Sequence, residues 1–428
     1  MSFVHRFRAL RAALAGAAAL AALLGATPSH ALPSYARQTG MDCAGCHVGA
    51  FGPQLTPAGI RFKLGGYTDS DGQDGKVPLS AMVAASWTRT RADNPAPESG
   101  LKANNNATMD EAAIFLAGRL TEHMGSFVQA TYDGVSKKVG LDHVDVRYAR
   151  TFDLGDKDAI VGLSVNNNPG VQDPFNTMPV WGFPYIASPA GYGGGDKASL
   201  INGGLEHRVV GTSAYAFLGN QFYGELGSYR SLSPAAQVKL GQGSDLQQLG
   251  GNAYWRLAWM KDLKSQAFQL GLFGWNANLQ ADRTTTDPAA KYRDLGLDGS
   301  YQFLGTREHV GTVSGSFVRE RVNDGSSLRE ARLNASYHYD QTWGGSVGVF
   351  ATHGLDPSAT SDGITTTGHL FQVDWTPWGK EKASAPAPFS AANLRLGAQY
   401  WVYGKFAGEG GSAARDHNTL FLFSWLSF

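Results

Sequence analysis

From residue 77 onward, apolar and polar positions alternate. Leu79, Ala81, Val83, Ala85 and Trp87 share one parity, and Ser80, Met82, Ser86 and Thr88 share the other. A period of two marks a strand whose two faces meet unlike surroundings. Ile114, Leu116 and Leu120 repeat the pattern opposite Arg119 and Thr121. The stretch 141–152 states it most sharply: Val144, Val146 and Tyr148 oppose His143, Asp145 and Arg147. An apolar row backed by a charged row suits a wall between lipid and a polar lumen. A soluble sandwich with one wet face alternates in the same way, so strand count and connections must separate the two.

The pattern predicts sixteen strands, over 77–90, 108–121, 125–134, 141–152, 157–167, 207–219, 220–231, 247–261, 266–281, 290–304, 308–323, 327–340, 343–354, 365–377, 392–405 and 416–428. Many exceed the ~5–6 residues of an ordinary globular strand and suit the ~9–11 needed to cross a bilayer at a tilt. Tight connections at 122–124, 154–156, 219–220, 262–264, 305–307 and 341–342 alternate with longer ones at 91–107, 168–206, 232–246, 282–289 and 355–364. Short periplasmic turns and long outer loops are the outer-membrane arrangement. One connection, 378–391, breaks the rule: it falls on the short-turn side yet is long and holds Pro386 and Pro388. The expectation is an all-β fold, a 16-stranded antiparallel transmembrane β-barrel over 77–428. Leu420, Leu422, Leu426 and Phe428 share one parity, so the last strand ends on an aromatic and resembles the signal read by barrel-assembly machinery.

Composition agrees. Glycine is 54 of 428 residues, well above the usual ~7%, and aromatics make up 11%. Basic and acidic residues balance at 36 each, which leaves no electrostatic case for nucleic acid. Residues 1–31 read as a secretory signal peptide: Arg6, Arg8 and Arg11, an apolar run from Ala12 to Gly25, and a small-x-small site at Ser29-His30-Ala31. After residue 31 no apolar run is long enough for a spanning helix.

The chain's only two cysteines stand in Cys43-Ala44-Gly45-Cys46-His47, the pattern that attaches a c-type haem. Each thiol forms a thioether to a haem vinyl group, and the adjacent imidazole of His47 becomes the proximal iron ligand. A redox Cys-x-x-Cys belongs in a βαβ setting, which is missing here. A structural zinc needs four close ligands, and no further Cys or His follows His47 before His123. Covalent haem also fits export. No nucleophile–base set stands out, and the glycines at 191–195 lack the following helix of a phosphate-binding loop.

Residues 32–76 form the expected haem segment, mostly irregular, with one short helix started by Thr56 and Pro57. Phe51, Leu55, Ile60, Phe62 and Leu64 are candidates to pack on the haem edge, and Arg37, Arg61 and Lys63 to face its propionates. About 45 residues cannot enclose a haem and build a core alone. The segment is therefore expected inside the barrel lumen or at its mouth. It has no Met or His between His47 and Tyr67, so a sixth ligand would come from the barrel wall. By parity the candidates are His143, His338 and Met82.

The stretches Tyr35-Ala36-Arg37-Gln38-Thr39-Gly40, Cys43 to His47, Leu55-Thr56-Pro57-Ala58-Gly59 and Phe62-Lys63-Leu64-Gly65-Gly66-Tyr67 together resemble the fused cytochrome–porins of the outer membrane, best known from iron-oxidising bacteria. Asn166-Asn167-Asn168-Pro169 with Asp173, and Trp181-Gly182-Phe183-Pro184, are similar to the same family. The chain departs from that pattern at Gly52, between Phe51 and Pro53, and at Ala58, where an aromatic is expected. The resemblance implies an electron carrier in the outer membrane. It would take single electrons from an extracellular donor, Fe(II) foremost, through one covalent c-type haem to a periplasmic cytochrome, with iron(II):cytochrome oxidoreductase activity. The alternative is a diffusion porin whose haem is structural or regulatory.

Overall fold

A computed structural model describes residues 33–73, 75–155, 157–191, 198–355, 365–380 and 392–428. The signal peptide expected over 1–31, and most of the connections at 191–195 and 378–391, lie outside the described residues.

The strands are β1 (Leu79–Thr90), β2 (Asn106–Arg119), β3 (Met124–Asp133), β4 (Lys138–Leu154), β5 (Lys157–Asn166), β6 (Val209–Leu218), β7 (Phe222–Ser231), β8 (Gln248–Asp262), β9 (Gln266–Gln280), β10 (Ala290–Phe303), β11 (His309–Val322), β12 (Ser327–Tyr339), β13 (Trp343–Leu355), β14 (Thr366–Trp375), β15 (Asn393–Phe406), β16 (Glu409–Gly410) and β17 (Thr419–Ser427). All seventeen belong to one antiparallel sheet. β16 is a two-residue arm on the end of β15, so the wall has sixteen long strands. β17 pairs with both β15 and β1, which closes the sheet into a barrel. The alternation predicted the sides correctly: Ile114 and Leu226 point outward at 65% and 71% exposure, while Phe115 is 3% exposed and Asp145 0%.

Several boundaries differ from expectation for local reasons. The last strand begins at Thr419, because a short helix occupies Gly411–Asp416. β6 begins at Val209, after His207 takes a left-handed φ of 62°. Two connections on the long-loop side, at 134–137 and 323–326, are themselves tight.

The amino-terminal segment holds three helices, more order than its prolines and glycines suggested. They are α1 (Pro33–Thr39), α2 (Cys43–Cys46) and α3 (Pro57–Leu64). Pro33 starts α1 instead of breaking it, because a proline at the first helical position loses only an N–H that has no helical partner. Thr56 caps α3 as predicted, accepting from the Gly59 amide at 3.4 Å.

This segment lies inside the barrel, at the end where the turns are short. Tyr35 donates to the Ser126 carbonyl at 2.7 Å. Leu55, Ile60 and Leu64 pack with Tyr215, Phe217, Tyr223, Ala258 and Met260 of the opposite wall, and Val48 packs on Leu304 and Val310. Each such side chain contributes about 1.5–3 kcal/mol on burial, so the wall supplies the core that the segment lacks.

The described parts of the long connection after β5, 167–191 and 198–208, also fold inward. Phe175 joins the same cluster as Leu64, and Met178, Leu200, Ile201 and Leu205 pack on Tyr229, Tyr254, Phe273 and Trp275. Three wall carboxylates hold it further on: Ser199 N donates to Glu330 at 3.2 Å, Leu200 N to Glu320 at 2.7 Å and Ile201 N to Asp294 at 2.9 Å. Two buried arginines complete the anchorage. Arg147 donates to Asp145 at 2.8 Å, to the Lys63 carbonyl at 3.2 Å and to the Gln172 carbonyl. Arg256 pairs with Asp173 at 3.1 Å and Asp298 at 2.8 Å. Asp173 in turn accepts from the amides of Phe175, Thr177 and Met178 at 3.0, 2.9 and 3.0 Å.

Candidate functional site

The candidate site grows from the turn around Cys43–His47. Cys43 and Cys46 stand one helical turn apart in α2, a spacing that places both on one side. His47 N donates to the Cys43 carbonyl at 2.8 Å, and His47 then pairs with Leu55 in an isolated antiparallel bridge. The loop is drawn back onto the motif by Thr56, whose amide donates to the Cys46 carbonyl at 2.9 Å and whose hydroxyl donates to the Gly45 carbonyl at 2.6 Å. Gly59 permits the close crossing of α3 over α2, since a Cβ there would stand 2.4 Å from the Cys46 carbonyl oxygen.

Cys46 and His47 line a cavity of about 400 Å³, within the usual range for pockets that enclose a cofactor-sized molecule. Its walls come from all three layers of the lumen. The segment supplies Tyr35, Phe51, Phe62 and Lys63; the barrel supplies Met82, Phe115, Phe127, His143 and Trp425; the inward connection supplies Trp181 and Tyr185. Aromatic rings share the lining with charged and polar side chains, Asp42, Glu111, Gln129 and Asp142 among them. Burial pulls the His47 pKa down to about 4, so the imidazole is neutral, and its buried Nδ1 has no hydrogen-bond partner. Burial pushes the Cys46 thiol up to about 11. Cys43 is fully buried, with the Asn393 amide 3.3 Å from its sulfur.

Of the wall residues expected by parity as sixth ligands, Met82 and His143 line the same cavity as His47. His338 does not line it. Its side chain faces inward as expected, but at the height of the Val48–Ala50 turn. There a Cβ on Gly49, whose φ is +67°, would meet His338 Nε2 at 2.4 Å. Parity names a face and says nothing of depth along the strand. Among the expected propionate partners, Lys63 lines the cavity, whereas Arg61 pairs with Asp262 at 3.0 Å and Arg37 donates to the Leu79 carbonyl.

Lys63 is the buried charge of this site. Its Nζ donates to the Val171 carbonyl at 2.8 Å and to Asn176 at 2.9 Å, and lies 4.7 Å from the Trp181 ring centroid. Burial first, and the neighbouring Arg147 second, lower its pKa to about 7 from the ordinary 10.5. Between those values the released, solvated segment binds more protons than the docked one, so docking should strengthen as pH rises from about 7 to 10.5. The limit is about 1.4 kcal/mol per pH unit. Protection factors of the Phe62–Gly65 amides, corrected for intrinsic exchange, should rise across that window and flatten in Lys63→Met. A flat profile in the unmodified protein would refute the assignment.

Residues that the sequence reading missed include Asp142 and His207, which meet His143 at the rim of the cavity. His207 lies 65 positions or so from the other two in the chain and belongs to no local motif, so only the fold brings the three together.

No protein-family model matches the chain, and no curated protein matches it. Among solved structures the chain is similar to OmpT, an outer membrane protein of Vibrio cholerae, at 10% identity, covering 83% of this chain and 99% of that one with a TM-score of 0.45. It is similar to the anion-selective porin from Comamonas acidovorans at 11% identity, with coverage of 82% and 98% and a TM-score of 0.45. It is also similar to the outer membrane channel DcaP of Acinetobacter baumannii at 10% identity, with coverage of 82% and 96% and a TM-score of 0.44.

Proposed function

We propose that this chain is an outer-membrane electron-transfer protein that holds one covalent c-type haem in the barrel lumen and passes single electrons between an outer donor, Fe(II) foremost, and a periplasmic cytochrome. The observation that carries this reading is that Cys46 and His47 of the Cys-x-x-Cys-His turn line a lumen cavity, with Cys43 buried one helical turn away and outside the lining. The residues fit the group in a cavity of cofactor size, a neutral imidazole and the Cys46 thiol on its lining, with the Cys43 thiol one helical turn away on the same short helix. Cys43 and Cys46 would hold the macrocycle, His47 the iron, and Lys63 a propionate. Bound there, a haem supplies one-electron redox chemistry. The segment's anchorage to the wall would fix the distance between the group and either barrel end. The outward apolar row, from Ile114 and Leu163 to Leu270 and Val373, supports placement in a bilayer, and the closed sheet leaves no unpaired strand edge to the lipid.

The test is direct. Pigment should stay with the polypeptide after boiling in detergent, and the Cys43→Ser/Cys46→Ser double variant should lose it. A protein made alongside haem-attachment machinery that keeps no pigment would overturn the proposal.

The second reading, a diffusion porin, is favoured by the closed sixteen-stranded wall. Planar-bilayer conductance separates the two. The packed lumen implies a small or closed channel for the electron carrier, whereas a large steady conductance supports the porin.

A further inference from the structure

Consecutive strand residues ordinarily point to opposite faces, but Asp142 and His143 both reach the lumen cavity. The cause is a bulge: β3 and β4 shift register between Val128 and Ala130, so two residues of β4 oppose one of β3. His207 arrives from the end of the inward connection, turned back by its left-handed φ of 62°. His207 Nε2 lies 2.9 Å and His143 Nε2 3.7 Å from Asp142 Oδ1. One ligand atom from each of the three residues falls within 4.8 Å of the others.

We propose that Asp142, His143 and His207 form a binding site for one divalent first-row transition-metal cation. Two imidazoles and a carboxylate on one side of an ion, with the remaining positions open, are a recurrent donor set for Zn(II) and Fe(II). The outer shell is also built. Thr131 donates to Asp142 Oδ2 at 2.9 Å and orients the carboxylate. Asn167 ties the two halves together: it accepts the Val144 amide at 2.8 Å, donates to the Asp142 carbonyl, and its own carbonyl accepts the His207 amide at 3.0 Å. Such outer contacts fix ligand orientation before the ion arrives. His143 Nδ1 is buried and without a hydrogen-bond partner. Glu206, beside His207, adds negative charge that favours a cation over an anion.

That the ion is the electron donor rests on the function proposed above; the site itself does not. An ion held by His143 Nε2 would leave only its Nδ1 to serve a haem.

The test uses the full-length, detergent-solubilised protein with its pigment and equilibrium dialysis against Zn(II). Bound zinc is counted by mass spectrometry, separately from iron. The unaltered protein should bind one zinc, and His207→Ala and Asp142→Asn should each weaken binding at least tenfold. His207 lies outside the strands, so His207→Ala decides if Asp142→Asn fails to form a heat-modifiable barrel. No bound zinc, or zinc bound equally well by His207→Ala, overturns the proposal. Because zinc is not reducible here, this result stands apart from any failure to find haem or to see it reduced by ferrous iron.

Discussion

Arg147→Met is expected to unhook the amino-terminal segment from the wall. The guanidinium is fully buried and serves three partners at once: the Asp145 carboxylate of its own strand, the Lys63 carbonyl of the segment and the Gln172 carbonyl of the inward connection. Asp145 also accepts from the Tyr67 hydroxyl at 2.6 Å and from Ser164 at 2.8 Å. Methionine fills the volume but leaves Asp145 as a buried charge with only neutral donors and strips two carbonyls of their partner. Breaking a buried pair from one side costs about 3–5 kcal/mol. At about 1.4 kcal/mol per decade, opening of the segment should rise on the order of a hundredfold or more. Amide exchange of Leu64–Thr68 in detergent micelles reads this, with β10–β13 as the unaffected internal reference. Equal protection in the variant would show that apolar packing of Leu64 and Ile60 alone holds the segment.

Arg256→Met is expected to release the other occupant of the lumen. Arg256 binds Asp173 of the connection to Asp298 of the wall, and its Nη2 donates to Thr177 at 3.2 Å. Without it two carboxylates face one another in a buried setting, and repulsion adds to the lost pairing. The same ~3–5 kcal/mol applies. Asp173 shapes the turn through three amides, so its displacement carries Phe175 and Met178 with it. Single-channel conductance should rise clearly above that of the unaltered protein, while the barrel keeps its heat-modifiable mobility. Adding Asp298→Asn to Arg256→Met removes the repulsion and should recover part of the closed state. An unchanged conductance in Arg256→Met would mean that the carboxylates of Asp294, Glu320 and Glu330 suffice to hold the connection.

The wall was legible from the sequence because its cause is local. Each strand sorts lipid-facing from lumen-facing residues by parity, so Ile114, Val144 and Leu226 declare their side without reference to a neighbour. The one-turn spacing of Cys43 and Cys46 was legible for the same reason, since it depends only on the local chain. The interior of the lumen was not. Whether 167–208 stands outside or folds inward depends on Arg256, Asp298 and Glu330, which are far away in sequence. His338 shows the limit of parity, which gives the face correctly and the depth not at all. Asp142 shows another: the bulge that turns it inward leaves no trace when both residues at the slip are polar. The helix at Pro33–Thr39 was hidden because a proline at a first helical position looks, in sequence, like a proline that ends one.

The seam between β1 and β17 carries a consequence for assembly order. Met82 stands opposite Ser427, and Ala81 and Phe428 exchange both of their backbone hydrogen bonds, at 2.7 and 2.9 Å. The first strand emerges directly from the enclosed segment, and its partner is the final strand made. Zipping that junction closes the wall around the leading segment, so the segment should be inside by the time the last strand docks.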